Sequence, residues 1–140
     1  MAGKKDKGPR HVRICHYMMD SQAWKSLGAI ERAIYLDMAK RYAGVGSNNG
    51  RIGYSIRVAA TELHIGTSTA KRGLDALQDR GFIVATKRGA FSLKASRHAT
   101  EWRLTEFHCD VTNAFATKDF TRWTPDKNKP RYPQRHRAGF

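Results

Sequence analysis

Residues Ser55 to Phe91 read SIRVAATELHIGTSTAKRGLDALQDRGFIVATKRGAF. Ser55 is a hydroxyl residue at an N-cap position, and Val58, Ala59 and Leu63 follow on one face, so the spacing predicts a helix over Ile56 to Leu63. His64-Ile65-Gly66 reads as a tight turn. Ala70, Leu74 and Leu77, four and three residues apart, predict a second helix from Thr67 to Arg80. Gly81 stands at the C′ position, where left-handed backbone is usual. Phe82 to Thr86 is apolar and β-branched and predicts a strand, which Lys87-Arg88-Gly89 breaks.

Upstream, HVRICHYM (His11 to Met18) alternates loosely, with Val12, Ile14 and Met18 to one side, and reads as a short strand or an extended lead-in. Asp20 is an N-cap candidate for a short helix, SQAWKSL. A longer helix is expected from Gly28 to Tyr42, with Ile30, Ala33 and Ile34 at helical spacing and Glu31, Arg32, Asp37, Lys40 and Arg41 on the other side. Gly44, Gly46 and Asn48-Asn49-Gly50 stop it, and Arg51 to Tyr54 has room for one small strand. Downstream, Lys94 to Thr100 is polar. Glu101 to Phe107 alternates, with Trp102 and Leu104 on one face and charges on the other, and predicts a half-buried strand. Residues Thr117 to Trp123 are expected to make a helical turn that docks Phe120 and Trp123 on the core. The organisation is a basic arm over 1–13, a domain over 14–123 and a basic tail over 124–140.

The 140 residues are enough for one domain of moderate core, and they carry a formal net charge of +14. The excess is spread: +4 over residues 1–13, +5 over residues 118–140 and +5 in between. A polyanion is the partner such a balance favours, nucleic acid before all others. A membrane surface would want a basic amphipathic helix with a bulky apolar face, and no such segment or bilayer-long apolar run is seen. Cys15 and Cys109 are far apart and suit a reducing, cytoplasmic setting better than a disulfide framework. Cys15-His16 and His108-Cys109 invite a zinc reading, but adjacent residues of an extended chain point to opposite faces and zinc-ligand spacings are missing. No cofactor, metal or enzyme is therefore expected, since no acid–base or nucleotide-cradling framework accompanies these residues.

The chemistry of a duplex groove requires one helix with short polar side chains in its N-terminal half. Thr67, Ser68, Thr69, Lys71 and Arg72 supply that, on the face away from Ala70, Leu74 and Leu77, and Arg72 can grip a guanine edge with two hydrogen bonds. Ser55 and Arg57, at the start of the preceding helix, are placed to touch phosphate. Between the two strands, the stretch from Arg80 to Thr100 holds five bases and no acid, and Lys87, Arg88, Lys94 and Arg97 are candidates for backbone or minor-groove contact. The tryptophans Trp24, Trp102 and Trp123 read as packing residues.

These residues resemble winged helix-turn-helix DNA-binding proteins, which share a segment of the form AA-x-x-L-x-I-s-x-s-T-A-x-R-x-L-x-x-L-x-x-x-G-F-I. Ala59, Ala60, Leu63, Ile65, Thr69, Ala70, Arg72, Leu74, Leu77, Gly81, Phe82 and Ile83 match it as they stand. The wider span Leu27 to Trp123, about two-thirds of the chain, looks like small helix-turn-helix proteins of bacteria, phages and plasmids, including the N-terminal domains of some plasmid replication initiators. The chain departs from that pattern at Gly66, where an N-cap serine is common, and at Gly73, where alanine is usual. Each glycine costs a few tenths to ~1 kcal/mol of helix stability, unless Gly73 serves a close helix approach. The resemblance implies an α+β winged helix-turn-helix with three to four helices, an antiparallel hairpin wing and basic disordered tails. It implies sequence-specific double-stranded DNA binding in the nucleoid, with repressor-like transcriptional regulation first and a replication or recombination accessory as the alternative. RNA binding and a protein-interaction module stay open behind these. A palindromic target implies a homodimer, for which Ser21 to Tyr42 is the sizeable surface.

Overall fold

In a computed structural model that describes residues 9–87 and 99–125, the chain runs α1 (His16–Met19), α2 (Gln22–Lys25), α3 (Ala29–Lys40), β1 (Ile52–Gly53), α4 (Ile56–Leu63), α5 (Thr67–Asp79), β2 (Ile83–Lys87) and β3 (Glu101–Leu104), and closes with a 3-10 turn (Asp119–Arg122). The architecture is α+β: five helices and a three-stranded antiparallel sheet ordered β1-β3-β2. The expected arm over 1–13 and tail over 124–140 fall largely outside the described residues.

Local chemistry explains most boundaries. Ser55 Oγ accepts the Val58 N–H at 3.0 Å and opens α4 where its N-cap is expected. His64 then takes a left-handed conformation (φ 57°) and Ile65 N–H returns to the Ala60 carbonyl at 3.1 Å, which turns the chain toward α5. The far end of α5 is a Schellman motif. Gly81 has φ 88°, its N–H donates to Gln78 O at 3.1 Å, and Phe82 N–H donates to Leu77 O at 3.0 Å. A side chain at Gly81 would also meet Asp119, its Cβ coming within 2.8 Å of that backbone. Asn48 closes α3 from outside, its Nδ2 donating to Arg41 O at 2.9 Å and its Oδ1 accepting Ala43 N–H at 2.8 Å.

Three expectations are corrected. Residues His16–Met19 form a helical turn, not a strand, because Met18 and Met19 N–H groups both reach Cys15 O (3.1 and 3.2 Å) and Met18 is thereby buried; this raises the helix count to five. The N-cap of α2 is Ser21, whose Oγ accepts Trp24 N–H at 3.1 Å, while Asp20 ends α1. The small strand for which Arg51 to Tyr54 has room does form, as β1, which pairs through Ile52↔Trp102 and Gly53↔Glu101. The last strand ends at Leu104 rather than Phe107. Thr105 leaves the ladder there, donating Oγ1–H to Gly81 O at 2.7 Å, and Phe107 N–H turns back to Leu104 O at 3.2 Å. Glu106 is consequently buried instead of lying on a charged outer face.

The core is aromatic at its centre. Phe82 lies 5.0 Å from Phe120 in a stacked pair and meets Trp24 and Tyr35 edge-on at 5.9 and 5.7 Å. Phe120 and Trp123 do pack on the core as expected. On one side α5 presses against α3 through Gly73, whose missing side chain admits Ile34 Cδ1. On the other, buried Asn49 Oδ1 accepts Leu104 N–H at 2.7 Å, and its Nδ2 faces the carbonyls of Leu104, Phe107 and His108 at 2.9–3.2 Å.

Two stability effects follow. Alanine at Gly73 gains about 1 kcal/mol of helix propensity, but its methyl falls on buried Ile34, and overpacking of this kind costs about 1–3 kcal/mol. Gly73→Ala is therefore expected to lower the urea midpoint, whereas Gly73→Ala with Ile34→Val recovers it, a coupling of about 1 kcal/mol in a double-mutant cycle. Burial pushes the Glu106 carboxyl above the ordinary glutamate value, against the opposing pull of Cys15, Lys118, Tyr17 and Arg13. The folded chain then holds this proton more tightly than the unfolded one. Its contribution to stability is full below the unfolded pKa of about 4.3 and is lost as pH rises through the folded value. Glu106→Gln should flatten that part of the stability-against-pH curve; an unchanged slope would assign it to other groups.

Candidate nucleic-acid interface

Thr67, Ser68 and Thr69 form the first turn of α5, and Lys71 and Arg72 follow in the next. Ala70, Gly73, Leu74 and Leu77 are buried, so the helical period turns Thr67, Ser68 and Arg72 outward, where all three are exposed; Thr69 and Lys71 are half-buried. Arg72 makes no ion pair among the described residues, and its nearest side-chain oxygen is Thr69 Oγ1 at 3.5 Å. Lys71 is engaged, its Nζ 2.9 Å from Asp75 Oδ2. Both partners of that pair are more than a third exposed, and such an i,i+4 pair is worth only about 0.3–0.5 kcal/mol, little enough for another anion to compete. Asp75 is the residue the sequence reading passed over; its signal is the four-residue step from Lys71.

The N-terminus of α5 is bare. Gly66 supplies no side-chain cap, and the first turn holds no acid, so neither compensates the positive end of the helix dipole. Ser55 and Arg57 sit elsewhere, at the start of α4, which separates them from the turn by its eight residues, about 12 Å of helix. The Ser55 oxygen is occupied as an N-cap, leaving its hydroxyl proton to donate, while Arg57 is exposed and without an ion pair among the described residues.

On the sheet, Lys87 is the exposed end of β2. Thr86 is an extra residue in that strand, a bulge between the pairs Ala85↔Trp102 and Lys87↔Glu101. Arg88, Lys94 and Arg97 lie outside the described residues. Arg80, counted among the wing bases from sequence, does not belong with them. Its Nε donates to Ser26 Oγ at 2.7 Å and its guanidinium covers the Trp123 ring at 4.9 Å, so its charge is used within the fold. The tryptophans pack as expected, Trp24 and Trp102 buried and Trp123 against the core.

Among the described residues no group of three or more His, Cys, Asp or Glu is gathered for a metal ion, and no helix is long and apolar enough to cross a membrane. Buried Cys109 donates to Asn49 O at 3.6 Å and accepts Thr112 N–H at 3.4 Å. Comparison with protein-family models, with curated proteins and with solved structures found no match.

Gly66 has ordinary extended backbone (φ −73°, ψ 160°) and open space where a Cβ would stand. Gly66→Asp should therefore raise stability by about 0.5–1 kcal/mol, through a side-chain cap, a favourable dipole interaction and a less flexible unfolded chain. Chemical denaturation measures it; a loss of stability would mean that the bare helix end is held by something other than solvent.

Proposed function

We propose that this chain is a winged helix-turn-helix protein that binds double-stranded DNA at specific sites, with α5 in the major groove, and that it regulates transcription by occupying a promoter. The observation that carries the reading is the start of α5. Short hydroxyl side chains and an uncommitted arginine stand exposed on a helix end without an acidic residue in its first turn, while the opposite face of the same helix is locked into the core. A helix so held can enter a groove without rearranging, and its dipole, its hydroxyls and Arg72 all favour an anionic duplex. The antiparallel strands that follow α5 directly after Gly81 support a wing beside it, and the net charge of +14 supports strong, salt-dependent attraction to phosphate.

The roles divide by chemistry. Thr67, Ser68 and Thr69 bond base edges or phosphate. Arg72 reads a guanine. Lys71 is exchanged from Asp75 to the DNA on binding. Arg57, the Ser55 hydroxyl and Lys87 hold the backbone, together with Arg88, Lys94 and Arg97. Protein and DNA then lose mutual attraction as salt rises, and the specific component survives only through the base contacts.

Selection of genomic fragments by the purified protein, followed by sequencing, tests the reading. Enrichment of a few promoter sites is the expected result; enrichment at repeats beside an origin or attachment site would move the role to replication or recombination. Uniform recovery that disappears with salt would remove sequence-specific recognition altogether. On an enriched site, Arg72→Ala should cost about 1–3 kcal/mol and relax the preference at one base pair. Gly66→Asp should weaken binding while the fold gains stability, a combination that a merely structural role for this helix end does not produce.

A further inference from the structure

Three cations share one face of the sheet. Trp102 and Leu104 of β3 turn inward, so Arg103 projects from the opposite face of the sheet, the face that the helical core does not cover. Arg51 precedes Ile52, the partner of Trp102, and the Gly50 N–H donates to Trp102 O at 3.1 Å, which holds Arg51 beside Arg103 on the neighbouring strand. On the other edge of β3, Lys87 pairs with Glu101, two residues before Arg103, and so lies on the same face. Arg51 and Lys87 are exposed and form no ion pair among the described residues, and Arg103 has a neutral partner, Thr117 Oγ1 at 3.3 Å. One acid, Glu101, stands in register with Lys87; the nearby Asp110 is bonded to Asn49 N–H at 3.0 Å.

An exposed aromatic ring lies close by along the chain. Phe115 is 75% exposed. Its segment is tied to the sheet at both ends, at Thr117 by Arg103 and at Ala114 by Cys109 N–H at 2.8 Å, and Cys109 is itself held against Asn49, next to Gly50. Phe115 is two residues from Thr117, within about 7 Å of it along the chain. Val111, partly exposed, lies against Gly50, its Cγ2 2.9 Å from where a Cβ there would stand.

We propose that this sheet face is a second nucleic-acid site, one that takes a single strand, with phosphates on Arg51 and Arg103 and a base stacked on Phe115, while Lys87 at its edge is left to the duplex. Charge complementarity selects a polyanion. The exposed ring selects unpaired bases, because duplex bases are stacked on one another and offer no face to a side chain, whereas a single strand does. The site is independent of α5: the helix could fail to read a duplex and the sheet face would still hold a strand. If both act, the protein can hold a duplex and an unpaired strand at once, a capacity that promoter occupation does not need and that opened DNA supplies.

The test measures fluorescence anisotropy of a labelled oligothymidine, and separately of a labelled duplex, with the full chain and its variants. Arg51→Ala and Phe115→Ala replace exposed side chains and leave the core untouched. Each is expected to weaken oligothymidine binding about five- to tenfold, at the lower end of what one stacked base or one charged contact contributes. Duplex affinity should change less than twofold. Phe115→Trp should restore strand binding, and the salt dependence of strand binding should become shallower in Arg51→Ala but not in Phe115→Ala. Arg72→Ala should do the reverse, weakening the duplex and sparing the strand. Oligothymidine binding that ignores Phe115→Ala, or that falls with Arg72→Ala as far as duplex binding does, overturns the second site. Loss of site-specific duplex binding with strand binding intact overturns the reading of α5 alone.

Discussion

Phe82 is the point through which the rest of the structure is connected. Its N–H completes the cap that ends α5, and its carbonyl accepts Thr105 N–H at 3.0 Å from the neighbouring strand. Its ring stacks on Phe120 and meets Trp24 and Tyr35 edge-on. One residue thus fixes the exit of α5, the start of β2, the docking of α2 and α3, and the return of the chain beyond the sheet. Full burial of such a ring is worth about 2–3 kcal/mol in area alone, and each aromatic pair adds about 0.5–1.5 kcal/mol. The outward face of α5 is rigid because its inward face and its C-terminus are both held here.

The positive charges divide into two populations. Some are consumed by the fold. Arg32 Nη2 donates to Trp24 O at 3.0 Å, Arg41 pairs with Asp37 at 2.9 Å and covers the Tyr54 ring, Arg80 covers Trp123, and Lys118 Nζ lies 5.1 Å from the Tyr17 ring centroid. In each case the long apolar stem also packs, so the residue acts as a hydrophobe with a satisfied head. Others, Arg51, Arg57, Arg72 and Lys87 among them, stand exposed without an ion pair among the described residues. Among the described residues it is this second population that an external anion can reach, and net charge does not distinguish the two.

The helices flanking the turn were legible because short-range chemistry specifies them: a serine cap, apolar residues at helical spacing, and a glycine suited to the left-handed position at a Schellman end. The groove-facing candidates on α5 were legible for the same reason, since the period that buries Ala70, Leu74 and Leu77 necessarily exposes Thr67, Ser68 and Arg72. The α1 turn was not, because HVRICHYM carries both periods and a four-residue helix is decided by what Met18 packs against. Nor was the end of β3. Alternation continues to Phe107 in the sequence, and what stops the strand is the Asn49 amide, arriving from more than fifty residues earlier.

What the sequence by itself determined is the set of local elements, the excess of positive charge and the identity of the helix end with no cap. These depend on side-chain type and on neighbours within one or two helical turns, where the physics is local. Tertiary structure alone decided which cations remain available, that Gly73 is a contact surface for Ile34, that Glu106 is buried, and that Arg51, Lys87 and Arg103 share one face of the sheet. Each of these rests on chain segments tens of residues apart being brought within a few ångströms. The partner at the far end of such a contact is chosen by packing and by strand register, which no local spacing encodes.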